Sequence, residues 1–224
     1  MTLTKQQIEF LQSIDTPTVC NVIEMVAPER RGHGYTIQHL HCPFPNLPPM
    51  IGFAKTVTCR SRDKVNVGDY MQKRLDYLDY VAAAPSPSWV IVQDLDDPPG
   101  HGAYWGEVMG NIHKSLDCVG TITNGGIRDI PQIPPGFQML AGSIAPSHAY
   151  VHVVDYGIDV SVHGMAVKSG DLIHADQHGA VVVPIDKIDA MKPAFDQLAA
   201  REAKIIGAAK QNKGVEAIKA AMKG

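Results

Sequence analysis

The chain has 224 residues, of which 45% are hydrophobic, and a net charge of −3. That length supports one well-cored domain with room for an added helical hairpin. No basic patch, basic amphipathic helix or bilayer-length apolar run is present, so neither nucleic acid nor a membrane is an expected partner.

The opening segment MTLTKQQIEFLQSID reads as an amphipathic helix from about Thr4 to Ser13, without the apolar stretch and cleavage site of a signal peptide. The four cysteines, Cys20, Cys42, Cys59 and Cys118, form no CxxC. A zinc knuckle or dithiol motif is therefore not expected, and a reduced, cytoplasmic protein is. A second helix opens at Thr16-Pro17, with Thr16 as N-cap and Pro17 at the first helical position. Its Val19, Val22, Ile23 and Val26 fit one face.

From Pro28 to Pro49 the chain is rich in Pro, Gly and His and reads as a long loop or surface ribbon, at a subunit contact or over a pocket. Ile51 to Cys59 alternates as a strand. Gly68-Asp69 starts a helix with Met71, Leu75, Leu78 and Val81 on one side. Ser88 to Gln93 is an apolar run typical of a strand buried on both faces. Asp94 to Gly106 is a loop dense in Gly, Pro and Asp, followed by a helix from about Tyr104 to Leu116. Cys118 to Thr123 is the next buried strand, and Asn124-Gly125-Gly126 reads as a sharp turn. Gln138 to Ala141, Ala149 to Val162 and Gly179 to Pro184 are strands. Ser169-Gly170-Asp171 turns into another, and the tail from Asp186 is helical.

This order predicts an α/β class, single-domain fold with a mixed sheet and terminal helices. N-terminal helices occupy 1–28, the Pro/His-rich loop 29–50, an α/β core 51–185 and a helical tail 186–224.

Two loops follow predicted buried strands, where α/β folds tend to bind ligands. One ends in Trp105-Gly106-Glu107-Val108-Met109; the other is Asn124-Gly125-Gly126-Ile127-Arg128-Asp129. If the strands are neighbours, Glu107, Arg128 and Asp129 converge. Amides at the start of the helix after Gly106 make a carboxylate site. Arg128 offers a bidentate fork for a carboxylate or 2-oxo group. Asp129 and Glu107 are hard oxygen ligands suited to Mg2+ or Mn2+. A metal chelated by a 2-oxo acid withdraws electrons from its C2 carbonyl and stabilises the enolate left when the C3–C4 bond breaks. Taken singly, Arg128-Asp129 is also the pattern of a surface ion pair or helix cap. Glu107 is also a first-turn acid favoured by the helix dipole.

The joint pattern, Glu107 followed after twenty residues by Arg128-Asp129, resembles the acid-x20-Arg-Asp signature of the RraA-like family. That family holds the metal-dependent 4-hydroxy-4-methyl-2-oxoglutarate / 4-carboxy-4-hydroxy-2-oxoadipate aldolases, the regulator of ribonuclease E activity, and many members labelled demethylmenaquinone methyltransferases. The resemblance extends over Asp15-Thr16-Pro17-Thr18-Val19, Tyr104-Trp105-Gly106-Glu107, Gly125-Gly126-Ile127-Arg128-Asp129, and Gly170-Asp171-Leu172-Ile173 with Asp176 and Gly179 to Pro184. It implies a phosphohistidine-domain-like β/β/α fold, assembly as homotrimers or dimers of trimers, and sites between subunits.

The implied roles are as follows. Asp129 holds Mg2+ or Mn2+ directly, and Glu107 holds it through water. Arg128 binds a small 2-oxo acid substrate and steadies the enolate. Gly106 and the amides of Val108 and Met109 bind its carboxylate. The implied activity is a carbon–carbon lyase (aldolase) releasing pyruvate, with oxaloacetate decarboxylase side activity. The alternatives are a non-enzymatic regulator of a ribonuclease-type partner or a same-site enzyme such as a hydratase. The chain departs from the aldolase pattern in having Glu107 for the usual aspartate, and Cys20-Asn21 for the family's Asp-Ala pair.

Other candidates are weaker on spacing alone. Gly100, Gly102 and Gly106 do not match a dinucleotide loop. The pairs His148/His152 and His174/His178 fall in strand or loop, where a spacing of four does not converge on zinc, and read as strand-end residues. His101, close to Glu107 in sequence, is the better candidate for substrate contact or proton donation. Nothing local marks Lys55, Lys64 or Lys168 as a Schiff-base lysine.

Overall fold

In the computed structural model, which describes residues 3–83, 85–211 and 214–223, two capped helices open the chain. Thr4 and Gln7 exchange side-chain-to-amide hydrogen bonds, a capping box that starts α1 (Lys5–Gln12). The cap of α2 (Thr16–Val26) is Asp15, whose carboxylate accepts the Thr18 amide at 2.9 Å. Thr16, the expected cap, lies one residue inside the helix. Its buried hydroxyl bonds to His174 Nδ1 at 3.0 Å, and its amide donates to Asp176 Oδ2 at 2.9 Å. The first turn of α2 is thereby fastened to the sheet.

The remaining elements, in order, are β1 (Met50–Arg60), α3 (Val67–Ala82), β2 (Ser88–Asp94), β3 (Ala103–Trp105), α4 (Glu107–Ser115), β4 (Cys118–Ile127) and β5 (Gln138–Ile144). They are followed by β6 (His152–Tyr156), β7 (Val160–Val162), β8 (Met165–Val167), β9 (Leu172–Asp176), β10 (Gly179–Val183), α5 (Ile188–Lys210) and α6 (Gly214–Lys223). β1, β2, β4 and β5 are parallel neighbours. β9 runs antiparallel to the first half of β1 and β6 to its second half, while β10 folds back on β9. The mixed sheet and α/β architecture match the expectation.

Alternate residues of the central strands feed different cores, as a period of two requires. Val90 and Val92 join Tyr77, Trp105 and Phe137 under α3 and α4. Trp89, Ile91, Ile122 and Leu140 pack towards the β7–β8 hairpin. A third cluster joins α1, α2 and the first half of α5 to β1, β9 and β10. No helix among the described residues is long and apolar enough to cross a membrane.

Several expectations are corrected. β1, expected as an alternating strand over Ile51 to Cys59, is buried continuously on both faces. Tyr104 and Trp105 belong to β3, not to a helix, because they pair with the end of β4: Ala103 with Gly126 and Trp105 with Ile127. Asn124-Gly125-Gly126 is not a turn. β4 runs straight through it, with a register shift against β5 between Thr123 and Gly126. Asn124 substitutes for a strand partner: its amide side chain accepts from Asp94 N at 2.7 Å and donates to Asp94 O at 2.9 Å.

On α3 the inward face is Tyr70, Arg74, Tyr77 and Val81; Met71 and Leu75 are exposed. Tyr77 goes inside because its hydroxyl finds a buried partner, His113 Nε2, at 2.7 Å. The Pro28 to Pro49 stretch lies along β10 and β5. Thr36 N donates to Ala180 O at 2.9 Å, Val182 N to Gly34 O at 2.8 Å, and His41 exchanges backbone hydrogen bonds with Ala141.

Candidate active site

The site is built where β4 ends and α4 begins. After Ile127 the backbone turns left-handed at Asp129 (φ 52°, ψ 35°) into a 3-10 turn over Ile130–Gln132. That conformation is costly for most side chains, and aspartate is among the few that tolerate it. It brings the Asp129 carboxylate back towards α4, where Oδ2 accepts the Glu107 amide at 3.2 Å. Arg128 Nε lies 3.6 Å from the same oxygen, and both side chains keep a third of their surface exposed.

Gly106 is what allows this approach. Its backbone is extended (φ −163°), so no special conformation demands glycine. A Cβ there would overlap Asp129 Oδ2 and stand 3.1 Å from Arg128 Cγ. Arg128 N donates to Trp105 O at 2.8 Å, which fixes the two segments side by side. With Glu107 N taken by Asp129, the first-turn amides of Val108 and Met109 have no intrahelical acceptor and lie at the positive end of the α4 dipole.

A cavity of about 600 Å³ opens beside this junction. Gly106, Val108, Met109 and Arg128, all expected to bind substrate, line it. Asp129 and Glu107 are not lining residues. The Asp129 carboxylate lies against Gly106, whereas the Glu107 side chain points into solvent and pairs with no described residue. The Pro28 to Pro49 stretch does not cover this cavity, contrary to one expectation for it. Gln38 and His39 instead help line a second, polar cavity of about 540 Å³ with Asn124 and His163.

Sequence reasoning missed most of the cavity wall. Tyr70 and Arg74 come from α3, Lys64 from the segment before it, and His148, Tyr150 and His152 from the approach to β6. The spacing Tyr70, Arg74, Tyr77, Val81 follows one helical face and carried the signal. The larger apolar residues beside it drew the reading onto the wrong face. His101 is corrected too: it is exposed and lines neither cavity. His148 lies in the loop between β5 and β6 and His152 at the start of β6, and both reach the cavity. Each donates Nδ1–H to a backbone carbonyl, of Ala149 at 2.7 Å and Tyr150 at 2.8 Å. In the neutral ring that leaves Nε2 as an acceptor.

A buried polar chain supports α4 from behind. His113 Nδ1–H donates to Met109 O at 2.8 Å, Nε2 accepts from the Tyr77 hydroxyl at 2.7 Å, and the ring packs on Trp105 at 4.7 Å. Burial pushes the His113 pKa down to about 4, against the upward pull of the Met109 carbonyl. His174 lies between Thr16 Oγ1 and Leu11 O and is also held neutral by burial. His178 contacts Asp176 through Nδ1 at 3.0 Å and forms no hydrogen bond with His174.

Among the lysines, Lys55 departs from expectation. It is 4% exposed, its ammonium donates to the carbonyls of Tyr80 and Ala83 at the end of α3, and burial lowers its pKa. It lines neither cavity, so the lysine with the mark of a Schiff-base residue stands away from the site. Lys64 does line the main cavity.

The donor set fits a hard divalent cation. Among the described residues there is no cluster of three or more His, Cys, Asp or Glu side chains, so these residues alone would supply only part of such an ion's shell. Asp129 Oδ1 receives no hydrogen bond from a described residue and is a free carboxylate oxygen, the ligand type magnesium and manganese prefer.

The chain is similar to several known proteins. It is 24% identical over 147 residues to Protein DlpA of Legionella pneumophila, a match covering 62% of this chain and 22% of that protein. The chain thus spans about a fifth of that relative's length. Among solved structures, an uncharacterized protein from Pseudomonas syringae superposes with a TM-score of 0.74 at 18% identity, covering 100% of this chain and 96% of that one. Streptomyces coelicolor RraAS2, described as an unusual member of the RNase ES inhibitor RraA protein family, gives 0.70 at 20% identity over 90% and 96%. The RNA-processing inhibitor RraA from Thermus gives 0.55 at 13% over 74% and 92%. These likenesses show the fold. The sequence profile of the RraA-like family (Aldolase/RraA) matches residues 16–182, a stretch that contains Glu107, Arg128 and Asp129, and the chain belongs to that family.

Proposed function

We propose that the chain is a divalent-metal-dependent class II aldolase, a carbon–carbon lyase that cleaves a 4-hydroxy-2-oxo acid to pyruvate and a second carbonyl acid. The supporting observation is the meeting of the Asp129 carboxylate, the Arg128 guanidinium and the first turn of α4 around Gly106. The amides of Val108 and Met109 would hold the substrate carboxylate. Arg128 would donate to the 2-oxo oxygen and stabilise the charge that gathers there as the C3–C4 bond breaks. Asp129 would hold the ion directly, with Glu107 reaching it through water. A bound Mg2+ or Mn2+ supplies Lewis-acid polarisation of the 2-oxo group. Oxaloacetate decarboxylation should accompany the cleavage, because it passes through the same pyruvate enolate. We also expect assembly as a homotrimer or dimer of trimers, and a cytoplasmic location.

The test is pyruvate release from 4-hydroxy-2-oxoglutarate and from oxaloacetate with magnesium or manganese. Full chelation and Asp129→Ala should each lower the rate by about a hundredfold or more. Activity that survives either treatment overturns the proposal.

The resemblance to RNase-inhibitor proteins supports a second reading, a non-enzymatic trimer that binds a ribonuclease-type partner. Glu107 weighs against it, since the regulator type resembles a Gly-x20-Arg-Asp pattern. Capture of such a partner with no turnover of any 2-oxo acid would favour it. Product analysis separates cleavage from a same-site hydratase.

A further inference from the structure

The cavity beside Gly106 carries more positive charge than the proposed chemistry uses. Its lining includes the cations Lys64, Arg74 and Arg128, and among the described residues it includes no aspartate or glutamate. Arg128 has a carboxylate neighbour in Asp129. Arg74 has none: it forms no ion pair with a described residue, and its Nη2 rests 3.5 Å from Met109 Sδ. It is half-buried, on the same face of α3 as Tyr70, which also lines the cavity, and Tyr77, which is fully buried. A guanidinium stays charged at all ordinary pH and presents its donors in a planar fork matched to a carboxylate. Half-buried and with no counter-ion among the described residues, it is a ready site for an oxyanion. The neighbouring walls, Tyr104, Val151 and Val153, are largely apolar and would strengthen such a pair by excluding water.

We infer that Arg74 is a specificity-determining residue that binds a second carboxylate of the substrate, so that the cavity selects dicarboxylic over monocarboxylic 2-oxo acids. The inference rests on the 2-oxo-acid reading above and adds to it the residue that reads the far group. Arg128 and the α4 amides take the reacting end from β4 and α4. Arg74 enters from α3 and takes the other carboxylate. No covalent step is assigned to it.

The test compares two probes of matched length, 2-oxoglutarate and 2-oxopentanoate, by calorimetry on the full chain with magnesium. The parent protein should bind 2-oxoglutarate about tenfold or more tightly, the worth of one charge-assisted pair. Arg74→Met should bring the two affinities close together while leaving 2-oxopentanoate binding unchanged. Retained 2-oxopentanoate binding shows that the variant is folded. Arg74→Gln, a milder change, reads the same ratio should the methionine variant fold poorly. Undiminished selectivity in both variants overturns the assignment, as does equal loss of both probes in a folded variant. Selectivity carried by Arg74 in a protein that releases no pyruvate from any 2-oxo acid removes the lyase reading and leaves this one standing. Turnover with no selectivity in the parent does the reverse. Binding of neither probe by the parent overturns both.

Discussion

The Glu107 amide donates to Asp129 Oδ2 across 3.2 Å, which joins the start of α4 to the end of β4. One hydrogen bond of this kind contributes little to stability. Its effect is positional: it sets a carboxylate, a guanidinium and two free helix amides around one glycine.

Gly106→Ala tests that arrangement without removing any functional group. The added Cβ would meet Asp129 Oδ2 and lie 3.1 Å from Arg128 Cγ, so one of the two side chains must move. Displacement of about 1 Å at a reacting centre costs on the order of a hundredfold in rate. The overpacking itself should cost about 1–3 kcal/mol of stability. Steady-state pyruvate release and a denaturant melt measure the two separately. An alanine variant with parental activity would refute the positional role of Gly106.

How far this site was legible follows from the type of signal each residue carries. Asp15-Thr16-Pro17, the buried strand Ser88 to Gln93 and the helical tail are local patterns, and local rules place them to within a residue or two. Asn124-Gly125-Gly126 misled because the same residues that make turns also make room. A Cβ on Gly125 would stand 3.1 Å from Asp94 Cβ, so the glycine serves a close strand approach rather than a reversal. Tyr70, Arg74, His148 and Tyr150 were missed as cavity residues for another reason. They come from segments that are distant in sequence and meet only through the sheet: β6 lies against β1, and α3 packs over both. Glu107 and Asp129 were recognisable as a pair by their spacing, but not that the link runs through the Glu107 backbone while its side chain faces solvent.

Asp176 should matter for stability rather than activity. It accepts from the Thr16 amide at 2.9 Å and from the His178 amide at 2.8 Å and ring at 3.0 Å. Burial opposes its ionisation, but these donors outweigh that effect and hold its carboxyl below the usual range. A depressed native pKa means that its contribution is present above the unfolded-state value, about 3.9, and is lost as pH falls through the lower native value. Asp176→Ala should cost about 1.5–3 kcal/mol at neutral pH. In urea melts the gap between parent and variant should narrow below about pH 4. A gap that is constant with pH would show that the anchor does not depend on the charge.

His113 also draws stability down on acidification, but over a higher pH window. It has no exposed surface, and burial, its largest influence, lowers its pKa to about 4. The unfolded-state value is about 6.5, so unfolding takes up a proton between those limits. Above pH ~6.5 the residue adds no pH dependence. From there down to about pH 4 it draws stability down, by roughly 3 kcal/mol in total, and below that its effect levels off. His113→Phe removes the titrating group and the Tyr77 contact together, so the variant should be less stable at pH 7 yet lose less on acidification. Tyr77→Phe, which keeps the imidazole, should retain most of the acid slope. Urea melts of the three proteins from pH 7 to pH 4 measure both effects. An unchanged slope in His113→Phe would move the acid sensitivity to the other buried imidazoles, His163 and His174, whose pKa values burial also lowers.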